Sequence, residues 1–513
     1  MTRRTELALL IAIILVTFIR VAATHRVFSA VLDEPPHIAA GYEWLVHHTN
    51  GFDPVHPPLA RIVCALPLVR FSPPSDRDLV GAGNQLLYAN DHYQHNLAMA
   101  RRGNLLFLLV ALLCVWWWAS RTFSRGTALI AVALLGSLPP ILGHAGIVTT
   151  DLAVAATLPL ALIAFERWLE TRDVKHALLL GLALGVGLLS KYSFVVFFPL
   201  CAAALLVARA RTLRSARGAA TLLLAAAIAL LILWAGYFFD FNTIAYVHPD
   251  STDAAFANVN VPAPLYWAGL HVLKIHDKAG HESFLLGRIS KHGFWYYFPV
   301  VFFFKTPIPF LLLLVAGAIV IVQKRHGIEF LLMPLVMMLF VLKSGINIGI
   351  RHILPIYPPL CVVAAAGIVA LWRNAKGRGV AVVLMAWLFV GVAWGHPDYL
   401  AWFNEFAGRH PERIAVDSNL DWGQDILRLG KAAKRHHIGR GAVLVACSAN
   451  IAAHGFPALD GLKPLTPVTG WIAVSETALA LDPATPKGGY DWLTNGRPYE
   501  RIGRSIRLYE VPR

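Results

Sequence analysis

Apolar runs close to the ~20 residues that cross a bilayer recur from residue 6 to residue 396, separated by short polar gaps. They predict helices near 6–23, 104–120, 127–143, 150–167, 176–190, 192–209, 219–238, 299–322, 328–342, 352–372 and 380–396. No strand-like alternation points to a barrel, so the pattern predicts an all-α polytopic membrane domain of about eleven spans. The first run, Leu7 to Ile19, follows Arg3 and Arg4 as a signal peptide would. Unless "VAATHRVFSA" supplies one, no small-x-small cleavage site follows, and a retained signal anchor is favoured. Residues 176–209 are interrupted only by "SKYS". One helix of that length would overshoot the membrane at 1.5 Å per residue, which predicts a hairpin turning at Ser190 to Ser193. An even number of spans would instead put the tail on the inner side.

The gaps sort by charge. Arg121 and Arg125, then Arg167, Arg172 and Lys175, then Arg209, Arg211, Arg214 and Arg217 fall in alternate linkers, followed by "QKRHG" and "RNAKGRG". With these linkers and the N-terminus cytoplasmic by the positive-inside bias, the other side receives residues 24–103, the loop 239–298 and everything after 396. In the first of these loops Ile38, Tyr42 and Leu45 share a helical face. Pro57 and Pro58 break that pattern before a second apolar run begins at Leu59. This predicts two short helices lying on the membrane surface as a lid. After His396 charge rises, and "AVDSNLDWGQDILRLGKAAKRHHIGRGAVLVAC" reads as strand, helix, strand, the helix capped by Asn419 or Asp421. "GWIAVSETALAL" and "SIRLYEVP" read as further strands. The division is a membrane domain, 1–396, and a small extracytoplasmic α/β domain, 397–513.

Composition agrees: the chain is 57% hydrophobic and 15% charged, far from soluble usage. Its net charge of +15 lies largely in the linkers, which makes it a topology signal and removes the case for nucleic acid. Cys64, Cys114, Cys201, Cys361 and Cys447 show no paired spacing, so neither a disulfide frame nor a metal knuckle follows.

Against this background the polar residues at span ends stand out. Asp33 and Glu34 follow the first span, at the root of the surface helices. Asp151 opens the fourth span, where Thr149 or Thr150 can cap the helix and the dipole favours an acid. It lies at the same predicted depth as Asp33, and an acid adjoining an intramembrane run is a functional candidate. Lys191, Lys305, Lys343 and Arg351, with His352, sit on the same outer side, against the positive-inside trend. Snorkelling explains any one of them; together they suit phosphate binding. His37, Tyr42 and His56 are candidates for an acceptor contact or lid. These parts fit transfer from a lipid-linked phosphosugar: Asp33 takes the acceptor's proton, the cations hold the departing phosphate, and no nucleotide is required. His37, His56, Glu43, His92, His95, His144, His281 and His292 are scattered over outer loops without a metal-ligand spacing. No metal or other cofactor is expected, although a divalent ion fits the chemistry.

The "LDE" after the first span, "HPPL", "TTDLA", "GLLSKYS" and "RHILPIYP" together resemble the GT-C membrane glycosyltransferases, in particular the protein O-mannosyltransferase and aminoarabinose-transferase group. The likeness runs from about Arg3 to Trp394. It implies inversion at the anomeric carbon, a polyprenyl-phosphate sugar donor, and a lipid, glycan or protein acceptor. It also implies Asp33 as base with Glu34 beside it, Asp151 in the site, and Lys191 and Arg351 on the phosphate. The loop 239–298 carries no long sugar-binding insertion, unlike the eukaryotic O-mannosyltransferases, and "DSNLDWGQDILRL" resembles a bacterial subgroup, which implies a bacterial inner membrane. The rival reading is a transporter or flippase for the same lipid. It predicts inverted repeats and mid-membrane charges; no such repeat is seen, and the charges cluster at one face. A signalling or scaffold role for the tail leaves the outer cations unexplained.

Overall fold

The computed structural model describes residues 2–50, 52–53, 55–209, 218–244, 257–481 and 488–512. Arg211, Arg214 and Arg217 of the third basic linker, and part of the loop 239–298, lie outside them. Each expected span is helical. Six helices are individually long and apolar enough to cross a membrane, and two bent pairs bring the number to eight. Val174–Leu188, Ser193–Ala208 and Glu329–Val341 are the shorter apolar helices at the remaining positions. The polytopic membrane fold read from the sequence is the fold observed.

The expected span 299–322 is corrected: Tyr297–Lys305 and Ile308–Lys324 meet at 110°. Pro307 forces the residue before it out of helical geometry, and Thr306 is extended (φ −103°, ψ 133°). Arg125–Leu135 and Pro139–Ala145 meet at 64° for a similar reason, across Gly136 and the Pro139–Pro140 pair. The helical hairpin turns between Leu188 and Ser193, as expected.

The buried core runs through Asn104–Thr122, Asp151–Thr171 and Tyr357–Leu371, most of whose apolar side chains are inaccessible. At one end of this bundle the basic linkers converge. Arg121 and Arg167 both bond Glu170 (2.7 and 2.6 Å), and Arg209 pairs with Glu166 and Glu329. Asp151 starts the 21-residue helix that carries Glu166 and Glu170 near its far end. A helix of that length spans about 30 Å, which puts Asp151 at the opposite end of the bundle from the basic linkers.

At that opposite end lies a surface layer of four helices, Glu34–His47, Leu59–Ala65, Leu79–Tyr88 and Tyr93–Arg102, with its own core of Ile38, Tyr42, Leu68, Leu86, Leu87 and Leu97. The layer packs closely. A Cβ on Gly83 would stand 2.1 Å from the Pro35 carbonyl oxygen, so only glycine lets this helix approach the chain beside Asp33.

Beyond the last span, Tyr399, Ala401, Phe403, Ile414, Ala415 and Leu420 belong to the main helical core. The strand expected over "AVDSN" is absent; Asp417–Asn419 is a short 3-10 turn. Neither proposed cap is used. Asp425 is the N-cap of Ile426–Arg435, while Asp421 accepts from Gly423 N and Thr477 N. A five-stranded mixed sheet follows, in the order 458–461, 441–444, 470–475, 506–511, 500–502, parallel across its first three strands and antiparallel beyond. "GWIAVS" and "SIRLYEV" pair as neighbours, Ile472 opposite Tyr509, and Glu476–Leu481 is helical rather than strand. Ile426, Leu429, Ala432 and Ala433 bury one face of the helix on this sheet.

Candidate active site

The geometry begins with a joint that the sequence did not suggest. Arg101 and Glu34 are both fully buried. Arg101 donates to Glu34 Oε1 (2.8 Å, from Nε) and Oε2 (2.7 Å, from Nη2), and to the carbonyls of His25, Phe28 and Ser29. The Glu34 carboxylate also accepts from Val31 N (2.9 Å) and Val148 N (2.8 Å). Every guanidinium N–H and both carboxylate oxygens are engaged. This corrects the expected catalytic role of Glu34: its side chain clamps the loop before Asp33 to the loop before Asp151.

Asp33 and Asp151 are left with free capacity by their local structure. Asp33 is the N-cap residue of Glu34–His47 and makes no side-chain cap bond. Pro35 and Pro36 in the first turn have no N–H to offer. Asp151 occupies the first turn of its helix behind Thr150, which likewise makes no side-chain cap bond. Lys191, in the hairpin turn, ion-pairs with Asp151. Leu59 N bonds the Leu189 carbonyl (3.0 Å), tying that turn to the "HPPL" loop.

Arg351 joins the two acids. Its Nη1 donates to Asp33 Oδ2 at 2.8 Å and lies 3.9 Å from Asp151 Oδ2. The guanidinium rests 4.3 Å from the ring centre of Trp422, and Asn419 Oδ1 accepts from Ile350 N beside it (3.0 Å). Asp33, Asp151, Lys191 and Arg351 therefore gather in one charged cluster, here termed the chamber. The Asp33 side chain is 34% exposed and that of Asp151 only 1%, so Asp33 is the solvent-facing acid and Asp151 the buried one. Among the described residues, Asp151 Oδ2 and Arg351 Nε are buried without a hydrogen-bond partner, an expensive condition.

Beside the chamber, His37 and His56 stand edge to face at 4.9 Å. Asp53, which the sequence reading passed over, accepts from Arg61 and faces His56 Nδ1 at 3.1 Å. His37, Asp53 and His56 offer ligand atoms within 4.8 Å of one another. Arg61 already lies among them, donating from Nε to His37 Nδ1 (3.3 Å) and from Nη1 to the Asp53 carbonyl (3.0 Å). Burial alone would raise the Asp53 pKa, but Arg61 and His56 outweigh it and hold the carboxyl well below its usual range. Burial, then the His56 and Arg61 charges, lowers His37 far below a normal histidine. Two of the three ligand groups, His37 Nδ1 and Asp53 Oδ2, are thus directed at the Arg61 guanidinium, which a divalent ion would have to displace.

Other expected site residues lie elsewhere. Lys305 is buried at the 110° bend, donating to the carbonyls of Leu400 (2.7 Å) and Asn419 (2.6 Å), and cannot turn to a phosphate. Lys343 is exposed beyond Val341 and forms no ion pair among the described residues. Tyr42 is spent on the Phe71 carbonyl (2.8 Å), and Glu43 holds Thr49 and Phe52 N. Arg101 was hidden because "ARRG" at a span end reads as an interface anchor.

The fold and chamber together define a polytopic membrane protein with two acids and two cations converging at one end of its bundle. Comparison with known proteins adds particulars. A family model, dolichyl-phosphate-mannose-protein mannosyltransferase, matches residues 94–235. ArnT from Cupriavidus metallidurans bound to undecaprenyl phosphate superposes with a TM-score of 0.53 at 14% identity, over 99% of this chain and 98% of that one. Its apo state gives 0.53 at 13% identity with the same coverage. Both findings agree with the resemblance carried by the motifs, and the shared fold extends over the whole chain. No curated protein sequence matches it.

Proposed function

We propose that the protein is an inverting glycosyltransferase that moves a sugar from a polyprenyl-phosphate donor to an acceptor hydroxyl on the extracytoplasmic face of a bacterial inner membrane. The observation that carries this reading is the chamber: an accessible acid, a buried acid and two cations, with unused bonding capacity on Asp151 and Arg351. Asp33 takes the acceptor proton as the acceptor oxygen bonds the anomeric carbon. The bond from that carbon to the phosphate oxygen breaks, and the electron pair leaves with the polyprenyl phosphate, whose charge Arg351 and Lys191 meet. Arg351 moves from Asp33 to the phosphate as the donor enters, freeing the base. Asp151 holds Lys191 in place. No metal is invoked.

An apolar groove supports a lipid-linked donor. Leu230, Leu231, Trp234, Val261, Pro262 and Trp267 line it at the bundle surface. Trp267 contacts Tyr266 (5.4 Å), and Tyr266 contacts Tyr192 (5.1 Å), the neighbour of Lys191. A polyprenyl tail in this groove would bring its phosphate toward Lys191. The crystal structure of ArnT with undecaprenyl phosphate suits the same reading. Sidedness rests on the basic linkers being cytoplasmic, which places the chamber and the chain after 396 outside.

The test is incubation of purified protein with labelled polyprenyl-phosphate hexoses and pentoses and a membrane extract, wild type beside Asp33→Asn. Transfer that D33N abolishes supports the reading. Transfer indifferent to D33N removes Asp33 as base, and absence of transfer or hydrolysis from every donor favours the lipid transporter.

A further inference from the structure

The five-stranded sheet has two differently covered faces. Ile426, Leu429, Ala432 and Ala433 bury one of them. The other carries Ile472, Val474 and Tyr509 against Tyr490 and Leu493, and strand alternation puts Arg507 on that same face. Beside this second core lies a cleft of about 490 Å³, lined by Arg413, Arg497, Arg501 and Arg507 together with Glu412 and Asp491. Two of these arginines serve the sheet itself. Arg501 and Arg507 stand directly opposite each other across the antiparallel pair 500–502 and 506–511, where like charges repel. Acids offset this: Arg507 donates to Glu476 from Nε (2.7 Å) and Nη2 (2.8 Å). Glu412 Oε1 meets Arg501 Nη2 and Arg507 Nη2, each at 3.4 Å, and His410 Nδ1 at 3.0 Å.

Polar capacity is left over in the lining. The Glu412 side chain is only 9% exposed, yet its Oε2 is buried without a hydrogen-bond partner among the described residues. Burial alone would raise its pKa, but His410, its own backbone N–H, Arg501 and Arg507 outweigh this and hold the carboxyl below its ordinary value. An ionised carboxylate oxygen can only accept. Arg413 and Arg497 are exposed, and neither forms an ion pair or a side-chain hydrogen bond among the described residues. Asp491 is the one further acid in the lining. The cleft thus offers two uncommitted arginine forks and an orphan acceptor, in a volume within the range of about 300–1,000 Å³ usual for small-molecule sites. Glu412 repels a bare anion, and a neutral sugar leaves the arginines unused. A hydroxylated anion engages both.

We infer that this cleft is a second binding site, separate from the Asp33 chamber, for a saccharide that carries a phosphate or a carboxylate: Arg413 and Arg497 take the anionic group, and Glu412 Oε2 accepts from a hydroxyl. The inference holds whether or not the chamber transfers a sugar. Titration calorimetry on the full-length protein in phosphatidylcholine nanodiscs tests it, with glucose 6-phosphate, glucuronate, glucose and inorganic phosphate as probes. The expected result is saturable binding of one or both anionic sugars, at least about tenfold tighter than glucose or inorganic phosphate. Binding of glucose 6-phosphate alone assigns the anion as phosphate, and of glucuronate alone as carboxylate. Arg413→Gln and Arg497→Gln should each weaken that binding about tenfold, while Lys191→Ala, in the chamber, leaves it within about twofold. Both arginines are exposed and unpaired, so these variants keep the fold; should one fail to, the other carries the test. Absence of saturable binding by either anionic sugar overturns the inference, as does glucose or inorganic phosphate binding equally tightly. An affinity unchanged in both arginine variants also overturns it, and a loss in K191A alone would place the sugar in the chamber instead.

Discussion

Asp33 and Glu34 are adjacent in sequence and opposite in circumstance. Glu34 meets Arg101 with every oxygen and every guanidinium hydrogen engaged, in a joint closed to solvent. Asp33 meets Arg351 through one contact, a third of its side chain exposed, and Arg351 retains an unpaired Nε. Both are Arg–carboxylate pairs at one end of one bundle. What separates them is saturation. A fully bonded buried pair has nothing left to offer a substrate and fixes geometry, while a partly bonded one keeps donors and acceptors for a ligand.

The comparison breaks most sharply at its two acids. Asp33→Asn should lower the transfer rate about 10²–10⁴-fold, the range for a general base, with melting temperature and undecaprenyl phosphate binding preserved. A modest effect would put Asp33 in an ordinary structural pair. Arg101→Ala should do the reverse. Removing one partner of a buried pair costs roughly 3–5 kcal/mol, so the expected outcome is a large fall in melting temperature, or loss of folded protein, seen by fluorescence-detected size exclusion. An R101A protein that is stable yet inactive would make Glu34 catalytic after all.

Next in size is the chamber's own cation. Arg351→Lys keeps the charge and loses the fork and the planar contact with Trp422. It should weaken undecaprenyl phosphate binding about tenfold while leaving the melt near wild type. Equal weakening of stability and binding would place Arg351 with Arg101, on the structural side.

How far the sequence could carry this distinction depends on what kind of signal each element leaves. Long apolar runs mark helices by composition, so a helix or a bent helix pair stands at each expected position, six to eight of them long enough to cross a membrane. The bend at Pro307 was legible in principle from "KTPIP", yet the run continued through it and was read as one helix. Asp151, Lys191 and Arg351 were legible as polar residues where apolar ones belong. Saturation was not. Glu34 and Arg101 are 67 positions apart, and nothing local in "LDEPP" says which acid is spent. The segment Val416–Asp425 departs from the expected strand for a related reason. A short mixed run before a helix satisfies strand periodicity by chance, and only packing reveals that Asn419 and Trp422 serve the Arg351 loop.

A smaller effect comes from the acids just beyond the chamber. Burial pushes Asp421 up to about 7 and Asp425 up to about 6; for Asp425 the Arg428 charge opposes the rise. Raised folded-state pKa values mean that the folded chain binds these protons more tightly than the unfolded one. Their contribution to stability is therefore complete below about pH 4, the unfolded carboxylate value, and is lost as pH rises through 6 to 7. His37, with its lowered pKa, contributes in the opposite sense below about pH 6.5, so the comparison is with the variant: the melting temperature of Asp421→Asn relative to wild type should be higher at pH 8 than at pH 5. A difference between the two proteins that stays the same from pH 5 to pH 8 would contradict this account.

The smallest expected effect tests the rule from its other side. Lys343 carries the same charge as Lys191 and is likewise an outer-side cation in the sequence, but it stands exposed after Val341 with no acid bonded to it among the described residues. An exposed, mobile ammonium is screened by salt and has no partner that fixes it toward the chamber, whereas Lys191 is held by the buried Asp151. Lys343→Ala should change undecaprenyl phosphate affinity by less than about twofold, within the ±0.5 kcal/mol of an ordinary surface substitution, while Lys191→Ala weakens it more and in a less salt-dependent way. A K343A loss equal to that of K191A would mean that outer-face charge alone recruits the donor, and that the paired geometry of the chamber adds nothing to binding.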